Sequence, residues 1–340
     1  MKRIGVIGAG AIAQAHIRGF EGANFGRVVA VADTRPDAAL AAAEAAGAKG
    51  YVSYEAMLEE DKLDGVIICT PPDTHPEIAV AALKRGIPVL CEKPVAIDLG
   101  GATAIQEAGR STGTLVTMAS KFRYVEDVIR LRSIIASGLL GEVLLLENTF
   151  VSPVDMTKRW NSQRAISGGG VLIDNGTHSV DIINYLLGAI REVLAVNSTF
   201  QPGLGVEDNV LLLAKTASGT TAKVDLSWTF DKQQPNFISA YGTQGAAHVG
   251  WRESKYKQKS SSDWIVFGSG YDKVAAFRNN LRNFCAAIDR DEPPLITMAD
   301  AIASVRAVNA AYESARNNGW VQVEATREQD NLSIAPGRAK

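Results

Sequence analysis

The chain has 340 residues, 46% hydrophobic and 21% charged, with a formal net charge of −2. That length suits two globular domains, and the near-neutral balance leaves no electrostatic footprint for nucleic acid or an anionic membrane. No apolar run reaches the ~18 residues of a membrane span, and the first apolar stretch is too short and glycine-rich for a secretory leader, so a cytoplasmic protein is expected.

Short Val/Ile-rich runs occur at Arg3–Ile7, Val28–Ala32, Gly65–Cys69, Val89–Cys91 and Leu115–Met118. Between them lie Ala-rich stretches of helical length at Ala11–Phe20, Pro36–Ala46, Thr74–Lys84 and Leu99–Ala108. Strands apolar on both faces that alternate with helices predict a doubly wound parallel sheet, an α/β Rossmann domain over residues 1–122. Gly47, Gly86 and Gly113 stand where left-handed helix caps are needed.

After Ser120 the texture changes. A helix is predicted over Tyr124–Ser137, closed by Gly138. Alternating segments follow at Glu142–Val151, Glu192–Phe200, Asn209–Lys215, Thr220–Trp228 and Phe237–Tyr241. They predict a mostly antiparallel open sheet with one covered face. Helices are expected at Gly170–Leu187, Lys273–Asp289 and Met298–Ala315. Residues 123–325 therefore read as an α+β substrate and oligomerisation domain, and residues 326–340 as a polar tail.

Gly8-Ala9-Gly10-Ala11-Ile12-Ala13 is a G-x-G-x-x-A match between a strand and a helix. Gly8 permits the tight turn, Gly10 lets a pyrophosphate approach, and Ala13 allows close helix–strand packing. The helix start supplies N–H groups and a positive dipole. Asp33 ends the next strand and can bind both ribose hydroxyls of NAD while repelling the 2′-phosphate of NADP. Thr34 and Arg35 follow. Arg35 can stack on adenine, pair with a 2′-phosphate, or stay solvated, so NAD is favoured and NADP stays open. Thr70-Pro71-Pro72 stiffens a loop at the carboxyl edge, where such folds bind ligands. His75 opens the next helix, as a cofactor contact or a plain helix-start residue. The three cysteines, Cys69, Cys91 and Cys285, lack metal-type spacing, and with four histidines in the chain no metal site is expected.

Glu92-Lys93-Pro94 at a strand end, with the fingerprint, Thr70-Pro71-Pro72 and a downstream Asp174-Asn175-Gly176-Thr177-His178, resembles the Gfo/Idh/MocA oxidoreductases. The resemblance covers most of the chain. It implies a Rossmann domain, a second domain with an open sheet used in dimer or tetramer contacts, and a Lys93–Pro94 peptide that is cis. It also implies that Glu92 and Lys93 border the cofactor, and that Lys93, Asp174 and His178 are catalytic.

The residue chemistry fits that implication. A lysine beside a cationic nicotinamide can hydrogen-bond the reacting oxygen. Asp174 and His178, four apart, share one face of a helix, where a carboxylate can orient an imidazole for proton transfer. Read alone, they could equally be a helix-start carboxylate and a core histidine. Asp181 could be a further partner or a surface acid.

Trp160 could stack on nicotinamide or a sugar face, and Arg164 could bind a carboxylate or phosphate. Arg123 and Tyr124 lie at the domain junction. Each could serve substrate binding or the core. Gly168–Gly170 could admit a ligand to the backbone or bend the chain, and the segment around Lys255–Gln258 could be a loop over the site or solvated surface.

The expected reaction is hydride transfer between nicotinamide and a secondary alcohol or ketone of a sugar, cyclitol or sugar derivative. Two other classes remain: a glycosidase that uses NAD transiently, and a non-catalytic sensor.

Overall fold

The structure, a computed structural model, describes residues 1–324, so the polar tail expected over 326–340 lies outside the described residues. The chain divides into two compact units. Among the described residues, the first comprises Met1–Tyr124 and Asp272–Ala301, the second Val125–Tyr271 and residues 302–324.

In the first unit the elements run β1 (Lys2–Ile7), α1 (Ala11–Gly19), β2 (Gly26–Ala32), α2 (Pro36–Ala46), β3 (Lys49–Tyr51), α3 (Tyr54–Glu60), β4 (Gly65–Ile68), α4 (His75–Lys84), β5 (Val89–Glu92), α5 (Leu99–Thr112) and β6 (Val116–Ala119). The strands form one parallel sheet in the order β3-β2-β1-β4-β5-β6. This is a Rossmann arrangement, with its strand order reversing between β1 and β4. β4, β5 and β6 are buried at every position, which explains their unbroken apolar sequence. Gly47 and Gly113 cap α2 and α5 in the left-handed region.

The sequence reading misses β3 and α3. A three-residue strand containing Lys49 and Gly50 carries no β pattern of its own, and its pairing to β2 makes it a strand.

In the second unit the elements are α6 (Glu126–Ala136), β7 (Val143–Val151), α7 (Arg164–Ser167), α8 (Val171–Leu187), β8 (Ile190–Ser198), β9 (Asn209–Thr216), β10 (Thr221–Ser227), β11 (Asn236–Gly242), β12 (Gly245–Gly250), β13 (Ser254–Gln258) and β14 (Ile265–Gly268). Then α9 (Lys273–Asp289) returns to the first unit, α10 (Met298–Asn317) crosses the division at Ala301, and β15 (Val321–Gln322) ends the described chain.

Nine strands pair in the order β14-β13-β12-β11-β7-β10-β9-β8-β15. The neighbours are antiparallel except β7 and β10. α8 covers one face of this sheet: a Cβ on Gly176 would stand 3.2 Å from Leu226 Cδ1 of β10. The segment Lys255–Gln258 is not a loop but most of β13, paired to both β12 and β14 and partly exposed.

Residues 272–301, read from the sequence as part of the second domain, cluster with the first. The reason lies on α9. Phe277, Leu281, Phe284 and Cys285 form an apolar stripe, all at most 2% exposed. Leu281, Phe284 and Cys285 share one core cluster with Ile4, Ala13, Ile67 and Leu90. Gly19 lets this helix approach α1, since a Cβ there would lie 2.6 Å from Leu281 Cδ1.

Candidate active-site residues

In the first unit, three loops leave the carboxyl ends of three neighbouring strands: the fingerprint after β1, Thr70–Pro72 after β4, and Lys93–Pro94 after β5. Gly8 has φ +92°, and a Cβ there would sit 2.8 Å from the Cys69 carbonyl, so the turn and the close approach to β4 both demand glycine. Gly10 differs. Its φ is −72°, and a Cβ would meet nothing within 4 Å. The protein's own packing does not require glycine there; an approaching pyrophosphate would.

Gly10 is the N-cap of α1 and supplies no side-chain cap, and no acidic residue occupies the first turn. Ala11 and Ile12 thus open a helix whose first N–H groups and positive dipole suit an anion. Together these features fit a dinucleotide pyrophosphate.

Asp33 closes this arrangement. Its Oδ2 accepts the Ala9 N–H at 2.8 Å and its Oδ1 the Arg35 N–H at 2.9 Å. Burial works against its charge, but the hydrogen bonds from Arg35 and Ala9 outweigh it and hold the carboxyl below its usual range. Arg35 lays its guanidinium on that carboxylate at 3.1 Å, and Thr34 beside it is exposed.

His75 is not a surface helix-start residue. It is 1% exposed, with Nδ1 2.9 Å from the Pro94 carbonyl oxygen and Nε2 2.9 Å from that of Thr70. It thereby stands between the Thr70-Pro71-Pro72 loop and the turn after Lys93; burial pushes its pKa down, and the neutral ring has one N–H to donate to one of the two carbonyls.

Glu92 is also buried. Its Oε1 receives His16 Nε2 at 2.7 Å and its Oε2 the Lys93 N–H at 3.1 Å. Burial alone would raise its pKa; the hydrogen bond and charge of His16, with Lys93 and Lys121 nearby, bring it below the ordinary range. Lys93 itself is half-buried, and the Lys93–Pro94 peptide is cis.

Arg123 and Tyr124 pack within the first unit. Arg123 is 3% exposed and donates to Asp300 at 3.2 Å. Tyr124, also 3% exposed, donates its hydroxyl to Asn283 at 3.0 Å. Both partners lie in residues 272–301, far away in sequence.

In the second unit α8 carries Asp174 in its first turn and His178 one turn later, on the same side. His178 is 6% exposed, with its ring edge toward Phe150 of β7 at 6.4 Å. Asp181 is fully buried, not a surface acid.

The glycines before α8 serve this helix. A Cβ on Gly169 would fall 1.9 Å from the Tyr312 hydroxyl, and one on Gly170 1.8 Å from the Glu207 carbonyl. That close approach puts Glu207 Oε1 where it accepts the N–H groups of Gly170 at 2.9 Å and Leu172 at 3.1 Å, and the Tyr312 hydroxyl at 2.7 Å. A buried carboxylate thus caps the helix bearing Asp174 and His178, in place of a side chain on the N-cap residue. Gly168, at φ +81°, turns the chain out of α7, while the space beside Gly169 and Gly170 is filled by protein.

Trp160 is 40% exposed. Arg164, exposed at the start of α7, places its guanidinium 5.7 Å from the Tyr312 ring centre. Lys255 lines a surface cleft of about 620 Å³ with Trp251, Arg252, Glu253 and Asn236.

Sequence reasoning misses His16, Glu207 and Tyr312. The available signal for His16 is a polar residue on the inner face of an otherwise apolar helix. Glu207 and Tyr312 meet α8 from distant segments and leave no local trace. Among the described residues no cluster of three His, Cys, Asp or Glu could hold a metal, and no helix is long and apolar enough to cross a membrane.

A family model described as "Oxidoreductase family, NAD-binding Rossmann fold" matches residues 2–120, and one for the "GFO/IDH/MocA C-terminal domain" matches residues 128–248. The rhizopine catabolism protein MocA of Rhizobium meliloti is 29% identical over 315 residues, covering 92% of this chain and 94% of that protein. An inositol 2-dehydrogenase of Rhizobium meliloti (strain 1021) is 27% identical over 343 residues, covering 94% and 99%. Levoglucosan dehydrogenase, solved as a complex with NADH, superposes with a TM-score of 0.89 over 96% of this chain and 100% of that one; at 22% identity that likeness speaks for the fold.

Proposed function

The chain belongs to the Gfo/Idh/MocA oxidoreductase family, and on that premise we propose that it is an NAD-dependent dehydrogenase of a polyhydroxylated substrate, a sugar, cyclitol or sugar derivative. The observation that carries this reading is the carboxyl edge of the first sheet. The uncapped start of α1, the Asp33 carboxylate tied to Ala9, and the Lys93 turn follow β1, β2 and β5 at the carboxyl edge of the one parallel sheet.

Gly8, Gly10, Ala11 and Ile12 would hold the pyrophosphate and Asp33 the adenosine ribose, while Thr70, Pro71, Pro72 and Glu92 would border the nicotinamide half. Thr34 and Arg35 would flank the adenine. An ionised Asp33 that already engages Arg35 favours NAD over NADP, because a 2′-phosphate would meet its negative charge.

NAD, when bound, supplies the hydride acceptor. His178 takes the hydroxyl proton as the C–H bond of the alcohol carbon breaks. Asp174, one turn earlier on α8, orients that imidazole and supports its positive form. Lys93 donates a hydrogen bond to the same oxygen as it gains carbonyl character. In the reverse direction the roles of donor and acceptor exchange. Trp160 and Arg164 are the flanking residues assigned to substrate ring and polar-group contacts.

The expected setting is cytoplasmic. Association of copies is assigned to the second sheet's face opposite α8, where Val196 and Leu211 pair across β8 and β9 at 65% and 46% exposure. A panel of sugars, cyclitols and sugar acids with NAD, followed by reduced-nicotinamide absorbance, tests the reading. Turnover with at least one of them supports it. Hydrolysis of a glycoside without net reduction, or binding without turnover across the panel, would contradict it.

A further inference from the structure

Two buried histidines meet the residues on either side of Lys93, one through a side chain and one through the backbone. On one side, His16 of α1 is 0% exposed and meets Glu92 at 2.7 Å. The carboxylate it meets is the one whose other oxygen accepts the Lys93 N–H. Because that carboxylate only accepts, His16 Nε2 must carry the proton. The ring is seated edge-on against Phe277 of α9, centroids 4.9 Å apart and planes at 82°. Its Nδ1 is buried and has no hydrogen-bond partner among the described residues. A buried polar atom left unmatched is costly, so packing alone does not explain a histidine here; the bond to Glu92 does.

On the other side, His75 of α4 stands against the Pro94 carbonyl and spans to the Thr70 carbonyl, both at 2.9 Å. With the His75 proton on Nδ1, residues 92 and 94 are each held by an imidazole that is at most 1% exposed, while Lys93 between them is half-buried. The two rings come from different helices, so the turn is braced from two directions. Neither ring needs to touch a reacting atom to matter: displacing a reacting group by about 1 Å costs roughly 100-fold in rate.

We propose that His16 and His75 are positioning residues that clamp the Lys93 turn and so fix its ammonium for the substrate oxygen. This rests on the reading of Lys93 as the group that touches that oxygen.

The two ring nitrogens give the test its specificity. His75→Asn keeps a donor near the Nδ1 position, facing Pro94; His75→Gln keeps one near Nε2, facing Thr70. His16→Gln keeps the donor to Glu92, whereas His16→Phe removes it at similar volume. Turnover at saturating NAD and substrate, its pH profile, NAD affinity by calorimetry and melting temperature are read for the full-length protein.

The clamp predicts that His75→Gln and His16→Phe lose about 10- to 100-fold in kcat with a shifted pH profile and near-native NAD affinity. It predicts that His75→Asn and His16→Gln each recover most of that loss. A Lys93→Ala control separates the two levels. If Lys93→Ala turns over normally, the role of Lys93 itself is wrong. If Lys93→Ala is inactive while His75→Gln and His16→Phe keep native kcat and pH profile, the clamp is wrong. The clamp is equally overturned if kcat follows melting temperature alone in all four variants.

Discussion

The Ala9 N–H donates to Asp33 Oδ2 at 2.8 Å, tying the turn after β1 to the end of β2. The same carboxylate takes the Arg35 backbone and side chain on its other oxygen. Asp33 therefore shapes the nucleotide turn as well as facing a ribose. Asp33→Ala should raise the NAD dissociation constant about 10- to 100-fold, the scale of losing one or two hydrogen bonds to a charged group. Binding of NADP should weaken far less, because a repulsive charge is removed too. Calorimetric titration with both dinucleotides checks this; an equal loss for both would contradict the ribose assignment.

Gly8 and Gly10 should respond oppositely to alanine. Gly8→Ala forces a side chain into a φ of +92° and against the Cys69 backbone, so denaturant unfolding should show a clear loss of stability. Gly10→Ala enters open space at φ −72°. It should leave unfolding nearly unchanged while weakening NAD binding. Native binding by Gly10→Ala would argue against a pyrophosphate at that position.

Glu207 should matter to both stability and turnover. Glu207→Gln keeps an oxygen at Oε1, where all three donors converge, but makes it a weaker amide acceptor and leaves an NH2 in the place of Oε2. A loss of about 1–3 kcal/mol in unfolding free energy is expected, and Tyr312→Phe should cost about 1 kcal/mol. Because α8 bears Asp174 and His178, kcat should fall with Glu207→Gln even well below the melting temperature. A stable variant with native kcat would separate the cap from the chemistry.

Acid sensitivity should trace to Glu92 in part. Its carboxyl lies below the ordinary value of 4.5 in the fold, so the folded chain binds fewer protons than the unfolded one. The group's stabilisation is complete above about pH 4.5 and is lost as pH falls through the lower folded value. The stability gap between the native chain and Glu92→Gln should therefore be widest near neutrality and shrink on acidification. A gap constant with pH would show that the Glu92 carboxyl is not held below its unfolded value, and a gap that widens on acidification would show it held above.

The first sheet was legible because its signals are local. Val/Ile runs, Ala-rich helices and capping glycines such as Gly47 and Gly113 each sit where the structure uses them. The fingerprint, Asp33 and the Glu92-Lys93-Pro94 turn were legible for the same reason. What was not legible depends on pairing at a distance. β12 and β13 are rich in glycine, alanine, lysine and serine and become strands through neighbours, and β14, Ile265–Gly268, is too short to announce itself. Arg123 and Tyr124 looked available for substrate because Asp300 and Asn283 are more than 150 residues away. The Gly168–Gly170 run could be read as ligand access or as a bend, since nothing in sequence announces Glu207 and Tyr312 against Gly169 and Gly170.

Single-turnover hydride transfer with NAD and the best polyol of the panel tests the central assignment most directly. Lys93→Ala and His178→Ala should each slow the transfer at least about 100-fold with NAD affinity within a few-fold of native. Transfer at the native rate in either variant, or failure of the native chain to take up NAD, would contradict the account.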